Sequence, residues 1–127
     1  MESQAEAGQP LQGMRILVAD DEYLIAVTIE ETLREAGADV VSAATLPAAL
    51  KAAQDRSLSI AILDVRLGRQ TTEAVADVLS AQGTPFMFYS GQTLPDSVRS
   101  KYPTVKMLIK PVRQAVFVTA VVEAIRD

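Results

Sequence analysis

The sequence predicts an α/β domain built on a doubly wound parallel sheet. Three observations predict it. Short apolar runs of strand length recur five times, segments of helical period lie between them, and four of the five runs end on a polar side chain. Continuous apolar strands alternating with helices imply a parallel sheet covered on both faces. Right-handed crossovers then restrict the topology to a doubly wound one, with its ligand crevice at the carboxyl ends of the strands.

Each element has a local reason. Arg15–Ala19 (RILVA) is the first apolar run and is followed by Asp20 and Asp21. Residues 22–36 have helical period, with Ile25, Ile29, Leu33 and Ala36 on one face and Gly37 as the stop. Asp39–Ala43 is the second strand. Residues 47–54 form an Ala-rich helix with Pro47 in its first turn, where a missing N–H costs nothing. Ile60–Leu63 is the third strand, followed by Asp64. A helix over 73–81 is closed by Gly83. Residues 86–89 form the fourth strand, leading into Ser90 and Gly91, and residues 105–109 the fifth, leading into Lys110 and Pro111. Between them, the stretch from Thr93 to Pro103 is interrupted by Pro95, so the fourth helix is expected to be short or irregular. A final helix is expected over 112–126.

Composition bounds the function. With 127 residues, 49% of them hydrophobic and 22% charged, the chain suits one folded domain. The net charge is −4 and no basic run exists, so neither a nucleic-acid groove nor a membrane-surface patch is expected. Cysteine and histidine are both absent, which removes disulfide and thiol chemistry, histidine metal ligands and any phosphohistidine of the chain's own. No apolar run approaches the ~20 residues that span a bilayer. The polar opening, MESQAEAGQPLQG, is read as a flexible leader over 1–13, before a domain over 14–127. It lacks the basic start and apolar core of a signal peptide, so a cytoplasmic location is expected.

The strand ends carry the chemistry. Asp20 and Asp21, Asp64, Ser90 and Lys110 should converge on one crevice. Singly, each has an ordinary reading: an aspartate before a helix is a preferred cap, and Ser-Gly is a common turn. Together, at the ends of strands one, three, four and five, they define a site. Three carboxylates near each other repel by about 4 kcal/mol per pair at ~4 Å and an effective dielectric of about 20. Lys110 supplies one charge against them. A hard divalent cation with oxygen ligands fits, and Mg²⁺ suits a site that also handles phosphate. Asp64 is then placed as a nucleophile toward phosphorus, with Lys110 and the Ser90 hydroxyl balancing charge on the transferring group.

The segments ILVADDE, ILDVRLG, FMFYSG and LIKP resemble the signature segments of response-regulator receiver domains, over residues 14–126. The resemblance implies a flavodoxin-like strand order, 2-1-3-4-5, and phosphorylation of Asp64 by a histidine kinase or a histidine phosphotransfer protein. It also assigns roles. Asp21 would ligate Mg²⁺ directly, Asp20 through water, and the backbone carbonyl of Arg66 would be a further ligand. Ser90 matches the switch hydroxyl and Lys110 the ammonium, with a cis peptide before Pro111. Such a chain would be no enzyme beyond its own phosphoryl uptake and hydrolysis. No output domain follows the last helix, so the expectation is a single-domain regulator acting by protein contact, phosphorelay or as a phosphate sink.

The chain departs from the family pattern at several positions. Gly68 stands where most receivers have proline. PFMFYSG is similar in part to a Pro-Phe-x-Phe-Ala-Thr-Gly subgroup associated with alphaproteobacterial signalling, with Tyr89 and Ser90 in place of Ala and Thr. Met107 occupies the position of the aromatic switch residue, so another element is expected to report phosphorylation; the stretch from Thr93 to Pro103, with little apolar content, is the candidate. Arg66 and Gln92 flank the site and are expected to tune hydrolysis through water access.

Two surfaces are expected to meet partners. Tyr23, Leu24 and Val27 lie off the core face of the first helix, on the side that meets the kinase in the family. On the last helix the apolar positions spread over roughly 220°, more than the ~100° stripe one sheet face requires. Val118 and Val122 are taken as the surplus, forming a homodimer surface with strand five. A phosphorylation-independent pseudo-receiver remains the alternative function. An enzyme on a similar fold is disfavoured: an aspartyl phosphatase would carry a second acid where Arg66 stands, and no Gly-rich nucleotide loop is present.

Overall fold

A computed structural model describes residues 9–126. Five strands form one all-parallel sheet: β1 (Arg15–Ala19), β2 (Asp39–Ala43), β3 (Ile60–Leu63), β6 (Phe86–Ser90) and β7 (Met107–Ile109). Their order across the sheet is β2-β1-β3-β6-β7, as the doubly wound reading requires. The helices are α1 (Tyr23–Glu35), α2 (Leu46–Ala53), α3 (Glu73–Gln82), α4 (Asp96–Lys101) and α5 (Gln114–Arg126). A small antiparallel hairpin, β4 (Arg66–Leu67) with β5 (Gln70–Thr71), interrupts the link from β3 to α3.

Strand alternation sorts the core into two layers. Ile16 and Val18 of β1, with Ile60, Ile62, Met87 and Tyr89, face α1 and α5 through Ile29, Leu33, Phe117 and Val121. Leu17 and Ala19, with Ala61, Leu63 and Phe88, face α2, α3 and α4 through Ala49, Val75, Leu79 and Val98. Successive side chains of a strand point to opposite faces, so unbroken apolar strands need helices on both. β1 and β3 are central and fully paired, which places the carboxylates that follow them in the middle of the sheet edge.

Three expectations change. The leader does not extend to residue 13: Leu11 is 1% exposed, joins the core under α1 and α5, and donates its N–H to Ala36 O at 2.8 Å. Gly37 permits this approach, because a Cβ there would meet the Gln12 backbone at 3.0 Å and its φ is +102°. Residues 1–8 of the predicted leader lie outside the described residues. Strand five is shorter than 105–109 because Val105 turns back to donate to Tyr102 O at 3.3 Å. The stretch before it is also less loose than its composition suggests, since Leu94 and Val98 are buried in the core.

Candidate functional site

The residues following β1 and β3, with Ser90 at the end of β6 and Lys110 after β7, meet at one edge. Backbone pairing sets their depth: Asp20 N–H donates to Ala43 O at 3.1 Å, Asp64 N–H to Ala19 O at 2.9 Å, and Lys110 N–H to Ser90 O at 2.9 Å. The ladder thus continues one residue past each strand, carrying the polar side chains into the crevice. The Lys110–Pro111 peptide is cis.

Asp64 is 8% exposed. One of its oxygens, Oδ1, accepts from the Ser90 hydroxyl at 2.5 Å and from Val65 N–H at 2.8 Å. The other, Oδ2, accepts from Lys110 Nζ at 3.2 Å. The same ammonium donates to Asp20 Oδ2 at 2.7 Å and to Glu22 Oε1 at 3.0 Å. One cation therefore serves three carboxylates. Burial alone would lower the Lys110 pKa, but its hydrogen bonds to Asp20 and Glu22 and the charges of Asp20 and Asp64 raise it well above the ordinary lysine value. Asp20 moves up as well. Burial pushes its carboxyl toward the neutral form and the Asp64 charge adds to that, against the hydrogen bonds from Lys110 and from the Glu22 N–H.

Asp20, Asp21 and Asp64 each offer an oxygen, and these lie within 4.8 Å of one another. Three hard oxygen donors with a net negative charge fit Mg²⁺ or Ca²⁺. Asp20 does not cap α1: the N-cap is Glu22, with no side-chain capping bond, so the ordinary reading of the acidic pair fails. Asp20 Oδ1 instead accepts the Glu22 N–H at 2.9 Å, which fixes the carboxylate toward Lys110.

Three participants were not singled out in the sequence. Glu22 binds Lys110 from the next residue of ILVADDE, and only the fold brings the two together. Thr72 is 1% exposed; its hydroxyl donates to Asp64 O at 2.6 Å and its N–H to Val65 O at 2.9 Å. It closes the loop that Asp64 opens. Gly68, noted only as a departure, donates its N–H to Asp21 Oδ2 at 2.7 Å.

The expected partner surfaces divide. Tyr23 and Leu24 are 77% and 78% exposed, and Leu24 lines an apolar groove with Ile25, Tyr89, Pro111 and Val112 that ends at Lys110. Val27 is only half-exposed. Val118 and Val122 are half-buried against the core layer that holds Leu11, so they are not the surplus they were taken for. A projection that counts the sheet alone omits the N-terminal segment and α1, which widen the covered arc of α5. The exposed apolar residues at this edge are Ile109 and Val116. A cavity of about 650 Å³ lies at the other end of the sheet, lined by Pro85, Phe86, Tyr102 and Lys106, and none of its lining residues is acidic. Among the described residues, no helix is long and apolar enough to cross a membrane.

No family model matches the sequence, and no curated protein matches it. Solved structures do. A CheY-like response regulator receiver domain protein from Methanospirillum hungatei superposes with a TM-score of 0.79 at 19% identity, covering 89% of this chain and 94% of that one. The receiver domain from the hybrid histidine kinase CckA gives 0.72 at 25% identity, covering 87% and 98%. A response regulator from Burkholderia pseudomallei, solved with a phosphorylated aspartic acid, calcium ion and citrate, gives 0.73 at 22%, covering 84% and 65%. The chain has the fold of CheY-like response-regulator receiver domains.

Proposed function

We propose that this chain is a response-regulator receiver that accepts a phosphoryl group on Asp64 from a phosphohistidine of a kinase or phosphotransfer protein. The observation that carries this reading is the seating of Asp64. Its carboxylate is nearly buried yet ends at the crevice, and both oxygens are held by groups suited to phosphoryl oxygens, the Ser90 hydroxyl and the Lys110 ammonium. An Asp64 oxygen bonds to phosphorus as the phosphorus–nitrogen bond to the donor imidazole breaks, and the imidazole leaves with a proton from solvent. Lys110, with its raised pKa, stays charged throughout and turns from carboxylate to phosphoryl oxygen as charge develops there. Ser90 moves its donated hydrogen in the same way.

Asp20, Asp21 and Asp64, with the Arg66 backbone carbonyl, would hold a Mg²⁺ ion. When bound, it supplies the positive charge that lets an anionic phosphoryl group approach an anionic site. The groove from Leu24 to Val112 leads to Lys110 and is the docking face we assign to the histidine-bearing partner. We assign self-association to the exposed Ile109 of strand five and Val116 of the last helix. Signalling then proceeds by contact, relay or drainage of phosphoryl groups, in the cytoplasm, with no enzyme activity beyond the domain's own phosphorylation and hydrolysis.

Incubation with Mg²⁺ and acetyl phosphate, read by intact mass, tests the reading. A gain of one phosphoryl group that Asp64→Asn abolishes is expected. No gain, or a gain that survives Asp64→Asn, overturns it; Mg²⁺ binding without any gain would favour a phosphorylation-independent binding module, consistent with Met107 in the aromatic position.

A further inference from the structure

The link from Asp64 to α3 is a tied loop rather than an open one. At its base, Thr72 binds the Asp64 and Val65 carbonyls. Midway, Leu67 is 4% exposed and belongs to the core layer under α2 and α3. Leu67 pairs with Gln70 and Arg66 with Thr71, so Gly68 and Arg69 form the two-residue turn. Gly68 has φ +64° while Arg69 does not have a positive φ, the pattern of a type II′ hairpin turn. At the tip, the Gly68 N–H reaches across 47 residues of sequence to Asp21 Oδ2 at 2.7 Å. Among the described residues, this amide is the only hydrogen-bond partner of the Asp21 carboxylate. The hairpin therefore joins two carboxylates of the acidic cluster: it begins at one and is latched to the other.

We propose that Gly68 is a positioning residue for Asp21: its amide holds one carboxylate oxygen and leaves the other free for a divalent cation, so cation binding and closure of the β4–β5 hairpin reinforce each other. The proposal rests on the reading of Asp20, Asp21 and Asp64 as a cation site. Asp21 is exposed, unlike the buried Asp20 and Asp64, so a hydrogen bond rather than burial must choose its rotamer. A charge-assisted bond from a backbone amide, itself fixed by Leu67 and Thr72, supplies that choice. Groups that orient ligating carboxylates from behind change metal affinity by about 10–100-fold when lost. Gly68 meets both requirements of the site. It provides an N–H, which proline lacks, and a positive φ, which β-branched residues resist. No atom lies within 4 Å of a Cβ built at 68, so a substitution acts through backbone conformation rather than through a clash.

The full chain titrated with MgCl₂ by calorimetry, as wild type, Gly68→Asn and Gly68→Val, tests this. Affinity should fall about tenfold in Gly68→Val and less in Gly68→Asn, since Asn accepts positive φ more readily. In wild-type protein without substitution, hydrogen exchange of the Gly68 amide followed by NMR should slow when Mg²⁺ is added. Mg²⁺ binding unchanged in Gly68→Val, or Gly68 exchange that speeds up with Mg²⁺, overturns the latch and leaves the cation site standing. No Mg²⁺ binding by the wild type overturns the cation site itself, and the latch with it.

Discussion

Replacing Lys110 by methionine removes the one ammonium shared by Asp20, Glu22 and Asp64 while keeping most of the apolar stem. The three contacts are not equal. Glu22 is 58% exposed, so its pair contributes no more than about 1 kcal/mol. Lys110, Asp20 and Asp64 have side-chain exposures of 7%, 3% and 10%. Removing one member of a buried pair leaves uncompensated charge and costs about 3–5 kcal/mol. We expect a loss of about 3 kcal/mol at pH 7 without divalent cation, or roughly 12 °C in melting temperature at about 4 °C per kcal/mol for a domain of this size. The pH dependence distinguishes this cause from lost packing. The raised pKa of Lys110 means that its stabilisation is fully present below the unfolded lysine value and is lost only above the folded one, so it is intact throughout the neutral range. In the variant, Asp20, whose carboxyl burial already pushes toward the neutral form, can relieve the repulsion by taking up a proton, so the deficit should shrink as pH falls toward about 4. Thermal denaturation of both proteins from pH 4 to 8 provides the measurement. A deficit below about 1 kcal/mol at pH 7, or one as large at pH 4, would refute the electrostatic account.

Ser90→Ala removes the closest donor to Asp64, and phosphorylation by acetyl phosphate should slow about 100-fold, the usual cost of losing one donor to developing charge. An unchanged single-turnover rate contradicts that role. Tyr102→Phe removes the phenol that donates to Asp77 and is the leading cause of its lowered pKa; the Asp77 carboxyl should titrate closer to its ordinary value by NMR. Because that pKa is depressed in the fold, the stability it contributes is present above the unfolded carboxylate value and lost as pH falls through the folded one. The difference between Tyr102→Phe and wild type should therefore vanish in acid. Leu11→Ala should destabilise by about 3 kcal/mol in chemical denaturation, as for a fully buried leucine; a change under about 1 kcal/mol would return residues 9–13 to the leader.

Much of this was legible in the sequence because it is local. A strand of four or five apolar residues declares itself by its own run, and a helix by its own period. A parallel sheet then sends the residue after each strand to the same edge without reference to anything distant. That is why Asp20, Asp21, Asp64, Ser90 and Lys110 could be assembled from ILVADDE, ILDVRLG, FMFYSG and LIKP. The hairpin was not legible, because β4 and β5 have two residues each, too few to show a period, and are held by a buried leucine and a threonine hydroxyl.

By itself, then, the sequence determined the order of elements, the two-sided sheet and the edge at which the polar residues gather, since each follows from patterns within about fifteen residues. The tertiary structure decided who touches whom across long separations. It paired Lys110 with Glu22 across 88 residues and Gly68 with Asp21 across 47. It folded Leu11 over Gly37, and it covered Val118 and Val122 while leaving Val116 and Ile109 exposed. Periodicity says which face of an element is apolar; only the packed neighbours say how much of that face is already taken.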